Sequence, residues 1–206
     1  MNEYTIRNAV NELLQGEIVP DEEILWVGQP DPAVIFTNAD IFLVPFSILW
    51  GGFAVSWECS ALFMPVVSNH GTSFPLIIFP LFGLPFVIIG LYITFGRFIY
   101  KKWKKQHTYY AITNKRAIIL SDSRRGNIRA VRIDTLQGLS RNMRSDGHGS
   151  ITFGEKSGYP LSYGNTGLDF FGSQYGEPPL TFYDIKNASS VYELVNKLMY
   201  EKDPGK

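Results

Sequence analysis

Few residues in this chain could do catalytic chemistry, and they are spread along the sequence. The three histidines, His70, His107 and His148, lie far apart in the sequence. The single cysteine, Cys59, excludes an intrachain disulfide and a metal site built from several thiolates. The sequence contains no P-loop, GxSxG, HExxH or dinucleotide-binding fingerprint. We therefore predict no enzyme activity, no cofactor and no metal site.

Two short polar motifs are better explained as turns than as binding loops. The Asp-Gly-His-Gly segment at 146–149 pairs an acid with a histidine, but it has the composition of a hairpin turn. The Gly-Asn-Thr-Gly segment at 164–167 likewise has turn chemistry rather than the features of a phosphate-binding loop. Neither motif predicts a functional site.

The main chemical feature of the sequence is positive charge after residue 96. The 206-residue chain has 19 Lys plus Arg and 19 Asp plus Glu, so its formal net charge is zero. Residues 1–40 nevertheless carry −7, from eight anions and one cation, and residues 97–144 carry +11, from thirteen cations and two anions. Such a basic surface favours an anionic partner. The candidate contacts are Arg97, Lys101, Lys102, Lys104, Lys105, Lys115, Arg116, Arg124 and Arg125.

The sequence leaves three interpretations of this basic surface open. Anionic lipid head groups would attract each nearby cation by about 1 kcal/mol. The acidic arm at 1–40 could pair with the same cations, and an ordinary solvated face needs no partner at all. Nucleic acid is excluded from the prediction because the sequence carries no RNA-binding signature.

The stretch from Ile41 to Gly96 has the composition of a membrane segment, with Glu58 as its one charged side chain. Residues 74–96 are 23 uncharged residues, about 34 Å of helix, which is enough to cross a hydrocarbon core of about 30 Å. The first span is shorter in its uncharged part, and we place it at 41–63. The sequence therefore predicts a hairpin of two transmembrane helices.

The orientation of this hairpin follows from its flanking charges. Five cations lie between residues 97 and 105, whereas the segment between the two spans has no Lys or Arg. The positive-inside rule places the cluster in the cytoplasm. A hairpin has both ends on one side, so the prediction is a multi-pass protein of the bacterial inner (cytoplasmic) membrane with cytoplasmic N- and C-termini.

Four regions result from this division of the chain. Residues 1–40 form a cytoplasmic arm, with an amphipathic helix at about 6–14 and a short strand at 24–27. The two spans occupy 41–96, and residues 97–106 are a basic juxtamembrane linker. Because the arm is acidic and lies on the same side as the basic region, we expect the two to contact each other.

Residues 107–202 form the fourth region, and their pattern is mainly β. Alternating and apolar runs bounded by turn residues predict a series of short strands. The apolar face of residues 188–199 then predicts a closing helix with Asn187 as its N-cap. A small, partly open barrel plugged by that helix fits this order. The predicted strands are 108–113, 116–120, 128–133, 139–144, 150–154 and 180–185, with a further strand at 168–171.

The run Thr-Tyr-Tyr-Ala-Ile-Thr-Asn-Lys-Arg-Ala-Ile-Ile-Leu at 108–120 resembles the opening hairpin of bacterial pleckstrin-homology (PH) domains. The segments 182–185 and 191–195 are similar to their last strand and capping helix. The lead-in at 23–30, ahead of two spans, resembles small membrane proteins that carry such a domain. The resemblance implies a PH-like barrel of about seven strands with a C-terminal helix, and it supplies no catalytic residues.

These observations predict a membrane-anchored, non-catalytic binding module. The module would contact anionic lipid head groups or a protein partner at the cytoplasmic face. The alternative is a structural or accessory subunit of a membrane complex, such as a transporter or membrane enzyme, that oligomerises through its spans.

Overall fold

The computed structural model describes residues 3–67, 74–121, 127–154, 164–169 and 178–202. The chain forms, in order, α1 (Glu3–Leu13), β1 (Ile24–Gly28), α2 (Asp40–Val67), α3 (Phe74–Leu91), a π-helical turn (Tyr92–Gly96), α4 (Arg97–Gln106), β2 (Thr108–Thr113), β3 (Arg116–Ser121), β4 (Asn127–Arg132), a 3-10 turn (Ile133–Thr135), β5 (Leu139–Met143), β6 (His148–Phe153), β7 (Leu180–Lys186) and α5 (Ala188–Lys202).

Two helical segments, Asp40–Phe63 and Pro80–Gln106, are long and apolar enough to cross a membrane. Helix α2 contains the whole first predicted span and continues to Val67. Helix α3, the π-helical turn and α4 follow one another without a break, so the predicted second span continues as helix to Gln106. The basic segment 97–106, predicted as a linker, is therefore helical.

Helices α2 and α3 pack closely where glycine leaves room for the backbone. A Cβ added to Gly90 would lie 3.1 Å from the Cα of Gly51, so the two helices nearly touch there. Nearby, the Thr94 hydroxyl donates to the carbonyls of Gly90 (2.7 Å) and Ser47 (3.3 Å). Away from this contact, many large apolar side chains of both helices are exposed, among them Phe42, Leu49, Phe82 and Ile88.

The β structure consists of two antiparallel sheets with the orders β1-β2-β3-β4 and β5-β6-β7. Strand β1 precedes the apolar helices and β2 follows them, yet the two strands pair, with Val27 opposite Ala111 and Gly28 opposite Tyr110. Both ends of the helical hairpin therefore return to one sheet. Although the seven strands and the C-terminal helix were expected, the strands described here do not close into a barrel.

Two apolar cores cover opposite faces of the first sheet. The larger core lies between the two sheets and under α5, around Phe182, Ile151 and Val195. The smaller core packs Val10 and Leu14 of α1 against the other face. Five of the six residues of β2 are buried as a result.

The acidic arm is thus part of the β structure. The region 107–202, predicted as the whole of the β domain, contains six of the seven described strands, and β1 and α1 come from the arm. Of the strand predicted at 168–171, Leu168 and Asp169 are not in a strand, and residues 170–171 lie outside the described residues. Of the turn predicted at 146–149, residues 146–147 lie in the turn before β6, with Gly147 at a φ of +83°, whereas His148 and Gly149 are the first residues of β6.

Candidate functional site

Three of the predicted contact cations are buried on one face of α4. Arg97, Lys101 and Lys105 are spaced four residues apart, so they lie above one another along the helix. Their exposed fractions are 0 %, 3 % and 4 %. A buried charge is tolerated only when it is paired or hydrogen-bonded. The partners of these cations therefore determine how α4 is held.

Arg97 pairs with Asp40, the first residue of α2. A guanidinium nitrogen (Nη1) of Arg97 donates to the Asp40 carboxylate, and its Nε donates to the carbonyl of Ile93 at 2.6 Å. The other Asp40 oxygen accepts the backbone N–H (2.6 Å) and the hydroxyl (2.8 Å) of Thr37. One carboxylate thus ties the start of α2 to the start of α4.

Lys101 and Lys105 hold the end of the arm against α4. The Lys101 ammonium donates to the carbonyl of Ile35 at 2.6 Å. The Lys105 ammonium donates to the carbonyls of Val34 (2.6 Å) and Asp31 (3.2 Å). These bonds are contacts between the basic region and the acidic arm, which confirms the expected meeting of the two.

Lys105 also connects α4 to the second sheet through Asp184 of β7. The ammonium donates to the buried Asp184 carboxylate at 2.6 Å, and Asn165 donates to the same oxygen at 2.5 Å. Asp184 has a φ of +49°, and its carbonyl accepts the N–H of Asp31 at 2.9 Å. Arm, helix and sheet therefore meet at a single residue, Asp184, through its carboxylate and its backbone carbonyl.

The outer face of α4 has the opposite character. Ile99, Tyr100 and Trp103 are 72 %, 41 % and 50 % exposed, although they belong to the helix that contains the buried cations. A helix in water normally turns its apolar face inward and its charges outward. In α4, by contrast, these apolar side chains are on the outside, and three of the five cations are turned into the protein.

The segment 164–169 contacts the π-helical turn and α4. The Tyr92 hydroxyl of the π-helical turn donates to the carbonyl of Gly167 at 2.7 Å. A Cβ on Gly167 would lie 2.6 Å from the carbonyl oxygen of Arg97, so only glycine fits at this contact. Lys104, another predicted cation, pairs with Asp169 at 2.5 Å.

Two other predicted cations lie at the β2–β3 turn and contact the arm. Arg116 pairs with Glu22 at 2.8 Å, and Lys115 donates to the carbonyl of Pro20 at 2.7 Å. Burial alone would raise the pKa of the Glu22 carboxyl, but hydrogen bonds from Arg116, the Val19 amide and other donors lower that pKa below its ordinary value. This turn is at the end of β2 remote from α4.

Lys102 is exposed on α4 and stays a candidate for lipid contact. Arg124 and Arg125 lie outside the described residues. At the α4 end of the sheet, Ser121 is opposite Thr108 and Asn127 is opposite Ser121. Of the nine predicted contacts, therefore, the structure places five against the arm, α2 or β7 and Lys104 against Asp169.

A polar cluster that sequence reasoning missed surrounds Asp31. The Asp31 carboxylate lies 3.1 Å from His148 Nε2 and 3.2 Å from the Lys186 ammonium, and it accepts the N–H of Ala33 at 2.8 Å. Burial alone would raise the pKa of Asp31, but these hydrogen bonds outweigh it and lower the pKa from 3.8 to about 2. No sequence signal brings residues 31, 148 and 186 together.

In the part of the chain that the structure describes, no group of three His, Cys, Asp or Glu side chains is arranged to hold a metal ion. No protein-family model, curated protein or solved structure matches this chain. Its most distinctive functional feature is the junction at which α4 joins the apolar helices, the arm and both sheets.

Proposed function

We propose that the chain is a membrane-anchored binding module with a PH-like domain at the cytoplasmic face of the inner membrane. The observation that carries the proposal is the reversed polarity of α4. Its apolar side chains, such as Ile99 and Trp103, face outward as a continuation of the apolar surface of α3. Three of its five cations, Arg97, Lys101 and Lys105, are inside, and Arg97 and Lys105 pair there with Asp40 and Asp184.

The pairing of β1 with β2 supports the proposed topology. A strand before the two helices and a strand after them belong to one sheet, so both ends of the hairpin must lie on the same side of any membrane that both helices cross. The five cations between residues 97 and 105, directly after the second span, favour the cytoplasm as that side. Two antiparallel sheets and a C-terminal helix are consistent with the PH-like fold.

Anionic lipid head groups are the proposed contact at the membrane surface. Lys102 is exposed between the outward-facing residues Ile99 and Trp103 of α4, so its ammonium would lie near the head groups. Arg124 and Arg125 are the other two candidates. The attraction would be about 1 kcal/mol per cation and screened over about 10 Å at 0.1 M salt.

The test measures the lipid selectivity of the full chain in phosphatidylcholine vesicles. Trace spin-labelled phosphatidylglycerol and spin-labelled phosphatidylcholine are compared for the fraction immobilised at the protein surface. We expect preferential immobilisation of phosphatidylglycerol, reduced by salt and by the triple change Lys102→Gln, Arg124→Gln and Arg125→Gln. Lys197→Gln, on the exposed face of α5, serves as the control.

Equal immobilisation of the two lipids at low salt would contradict the proposed lipid contact. A selectivity that responds to Lys197→Gln as strongly as to the triple change would contradict the assignment of the contact to these three cations. A chain that alkaline carbonate extracts from native membranes would contradict membrane anchoring itself.

A further inference from the structure

A cavity of about 280 Å³ opens between α4, the first sheet and the beginning of β7. Its volume is just below the range of roughly 300–1,000 Å³ that is typical of small-molecule sites. Two cross-strand rows of the first sheet form its floor, because directly opposed residues of antiparallel strands share a face. The rows are Thr108–Ser121–Asn127 and Tyr110–Ile119–Arg129.

The charges that line this cavity are mostly positive. Lys101, Lys104 and Lys105 of α4 and Arg129 of β4 all line it, and Asp169 is the one carboxylate among the described lining residues. Lys105 is already bonded to three protein oxygens, which match the three donors of an ammonium group. The donors of Lys101, Lys104 and Arg129 are not fully used in this way.

Lys101, Lys104 and Arg129 retain donors that the described protein groups do not use. The Lys101 ammonium bonds the carbonyl of Ile35, and the Lys104 ammonium bonds one carboxylate. Arg129 donates through Nη2 to the carbonyl of Pro178 at 2.5 Å. An ammonium group has three donors and a guanidinium has five. Because Lys101 is almost fully buried, its remaining donors can be satisfied best by a group inside the cavity.

The rest of the lining is mainly apolar. Pro30, Ile119, Pro178 and Pro179 and the buried ring of Tyr110 supply walls without charge. Hydroxyl and amide groups such as those of Asn127 and Thr181 are interspersed among them. The cavity thus combines several cationic donors with a small apolar volume, which suits an organic anion better than a bare ion.

We propose that this cavity binds a phosphate monoester through Lys101, Lys104 and Arg129. A phosphate monoester carries about −1.5 to −2 charges and three acceptor oxygens, so it can take up donors from three cations at once. The guanidinium of Arg129 matches phosphate geometry with two parallel N–H donors. The proposal extends the proposed binding module and rests on it for one point, the presence of a membrane near the cavity. A phospholipid head group could enter the cavity from that membrane as readily as a soluble phosphate could enter it from the cytoplasm.

Calorimetric titration of the full chain in phosphatidylcholine nanodiscs tests the site. Glycerol 3-phosphate and inorganic phosphate are the soluble probes, and nanodiscs containing phosphatidic acid supply the lipid source. Lys104→Gln and Arg129→Gln remove the proposed contacts one at a time. Arg132→Gln, on the same strand as Arg129, and Lys197→Gln, on α5, are the controls, because each makes the same change at an exposed residue outside the cavity.

We expect saturable binding of glycerol 3-phosphate that weakens about tenfold or more in Lys104→Gln and in Arg129→Gln and less than twofold in the two controls. Phosphatidic acid that competes with glycerol 3-phosphate supports a lipid source, and a phosphate site indifferent to phosphatidic acid supports a soluble source. The thermal unfolding midpoint of each variant without ligand separates lost binding from lost folding.

The absence of saturable binding by glycerol 3-phosphate, by inorganic phosphate and by phosphatidic acid would overturn the proposal. Equal weakening by the cavity variants and the controls would also overturn it, because general charge attraction would then explain the binding. These outcomes are independent of the lipid selectivity described above, which depends on bilayer charge and on Lys102 rather than on Lys104 and Arg129.

Discussion

Arg97 and Asp40 form a buried ion pair between the beginnings of α4 and α2. Removing one member of such a pair leaves an uncompensated charge and costs about 3–5 kcal/mol, whereas replacing both costs much less. We expect Asp40→Asn to lower the free energy of unfolding of the full chain in detergent micelles by that amount. Adding Arg97→Met to Asp40→Asn should restore more than half of the loss.

Lys102→Met is the control for this pair, because it removes a cation from the exposed face of the same helix. Its free energy of unfolding should change by less than about 0.5 kcal/mol. An Asp40→Asn variant as stable as the unmodified chain, measured by chemical unfolding followed by circular dichroism, would show that the pair does not hold the two helices.

Asp31 makes the stability of the chain sensitive to acid. Its pKa in the folded chain is about 2, below the ordinary value of 3.8, so folding favours the ionised carboxylate. The resulting stabilisation is complete above the unfolded pKa and is lost as the pH falls through the folded pKa. We therefore expect the unfolding free energy to fall between about pH 4 and pH 2, and to fall less in Asp31→Asn.

The positions of the site cations could be predicted from the sequence only in part. Their number and sign are evident, and the spacing of Arg97, Lys101 and Lys105 would have placed them on one helical face. The sequence predicts a linker at 97–106, however, and a linker has no helical face. Their inward orientation also depends on carbonyls of residues 31–35, whose position is set by the pairing of β1 with β2 far along the chain.

At the scale of elements, the contact of α2 with α3 depends on the absence of a side chain at Gly90, which faces the backbone of Gly51. We expect Gly90→Leu to separate the two helices, because its side chain would enter the space of the Gly51 backbone. Gly52→Leu is the matched control, since a Cβ on Gly52 meets nothing within 4 Å. Disulfide formation between cysteines introduced at Ser47 and Thr94 in a Cys59→Ser background measures the separation.

Rapid crosslinking in the unmodified hairpin and in Gly52→Leu, with slow crosslinking in Gly90→Leu, is the expected pattern. Equal rates in all three would contradict a close contact at Gly90. The Ser47 carbonyl and the Thr94 hydroxyl already lie 3.3 Å apart, which makes this pair suitable as a reporter.

The elements themselves were largely predictable, because their signals are local. The two spans follow from long uncharged runs, and the strands of the β region follow from short apolar runs between turn residues. The sequence of strand β2 also indicates that both of its faces are covered.

Residues 109–112 form a continuous apolar run rather than an alternating one, and such a run is typical of a strand covered on both faces. The covering helix, α1, lies about a hundred residues earlier in the chain.

At the scale of the whole molecule, the arm and the β domain form one structure interrupted by the hairpin. A fragment from Gln106 to Lys206 lacks β1 and α1, so it exposes the apolar face that includes Ala111 and Ile118. We expect this fragment to bind a hydrophobic dye and to unfold without a cooperative thermal transition.

Fusing residues 3–30 to that fragment through a short Gly/Ser linker should restore cooperative unfolding. The fusion is geometrically simple, because Gly28 pairs with Tyr110 near the beginning of β2. Cooperative unfolding of the unfused fragment at the same temperature as the fusion would contradict the view that the arm completes the sheet. The sequence alone predicts the arm and residues 107–202 as separate regions because strand partners distant in sequence leave no local signal.

The central claim is that α4 continues the membrane-facing surface on its outer side and buries Arg97, Lys101 and Lys105 on its inner side. Spin labels at Ile99→Cys, Lys102→Cys and Trp103→Cys, each in a Cys59→Ser background, test it in the full chain reconstituted in lipid. We predict that labels at 99 and 103 are relaxed strongly by oxygen, which concentrates in lipid, and weakly by a water-soluble nickel complex. The nickel complex should relax the label at 102 more strongly than the label at 99 or the label at 103. Strong nickel relaxation at 99 and 103 would place the outer face of α4 in water and contradict the account.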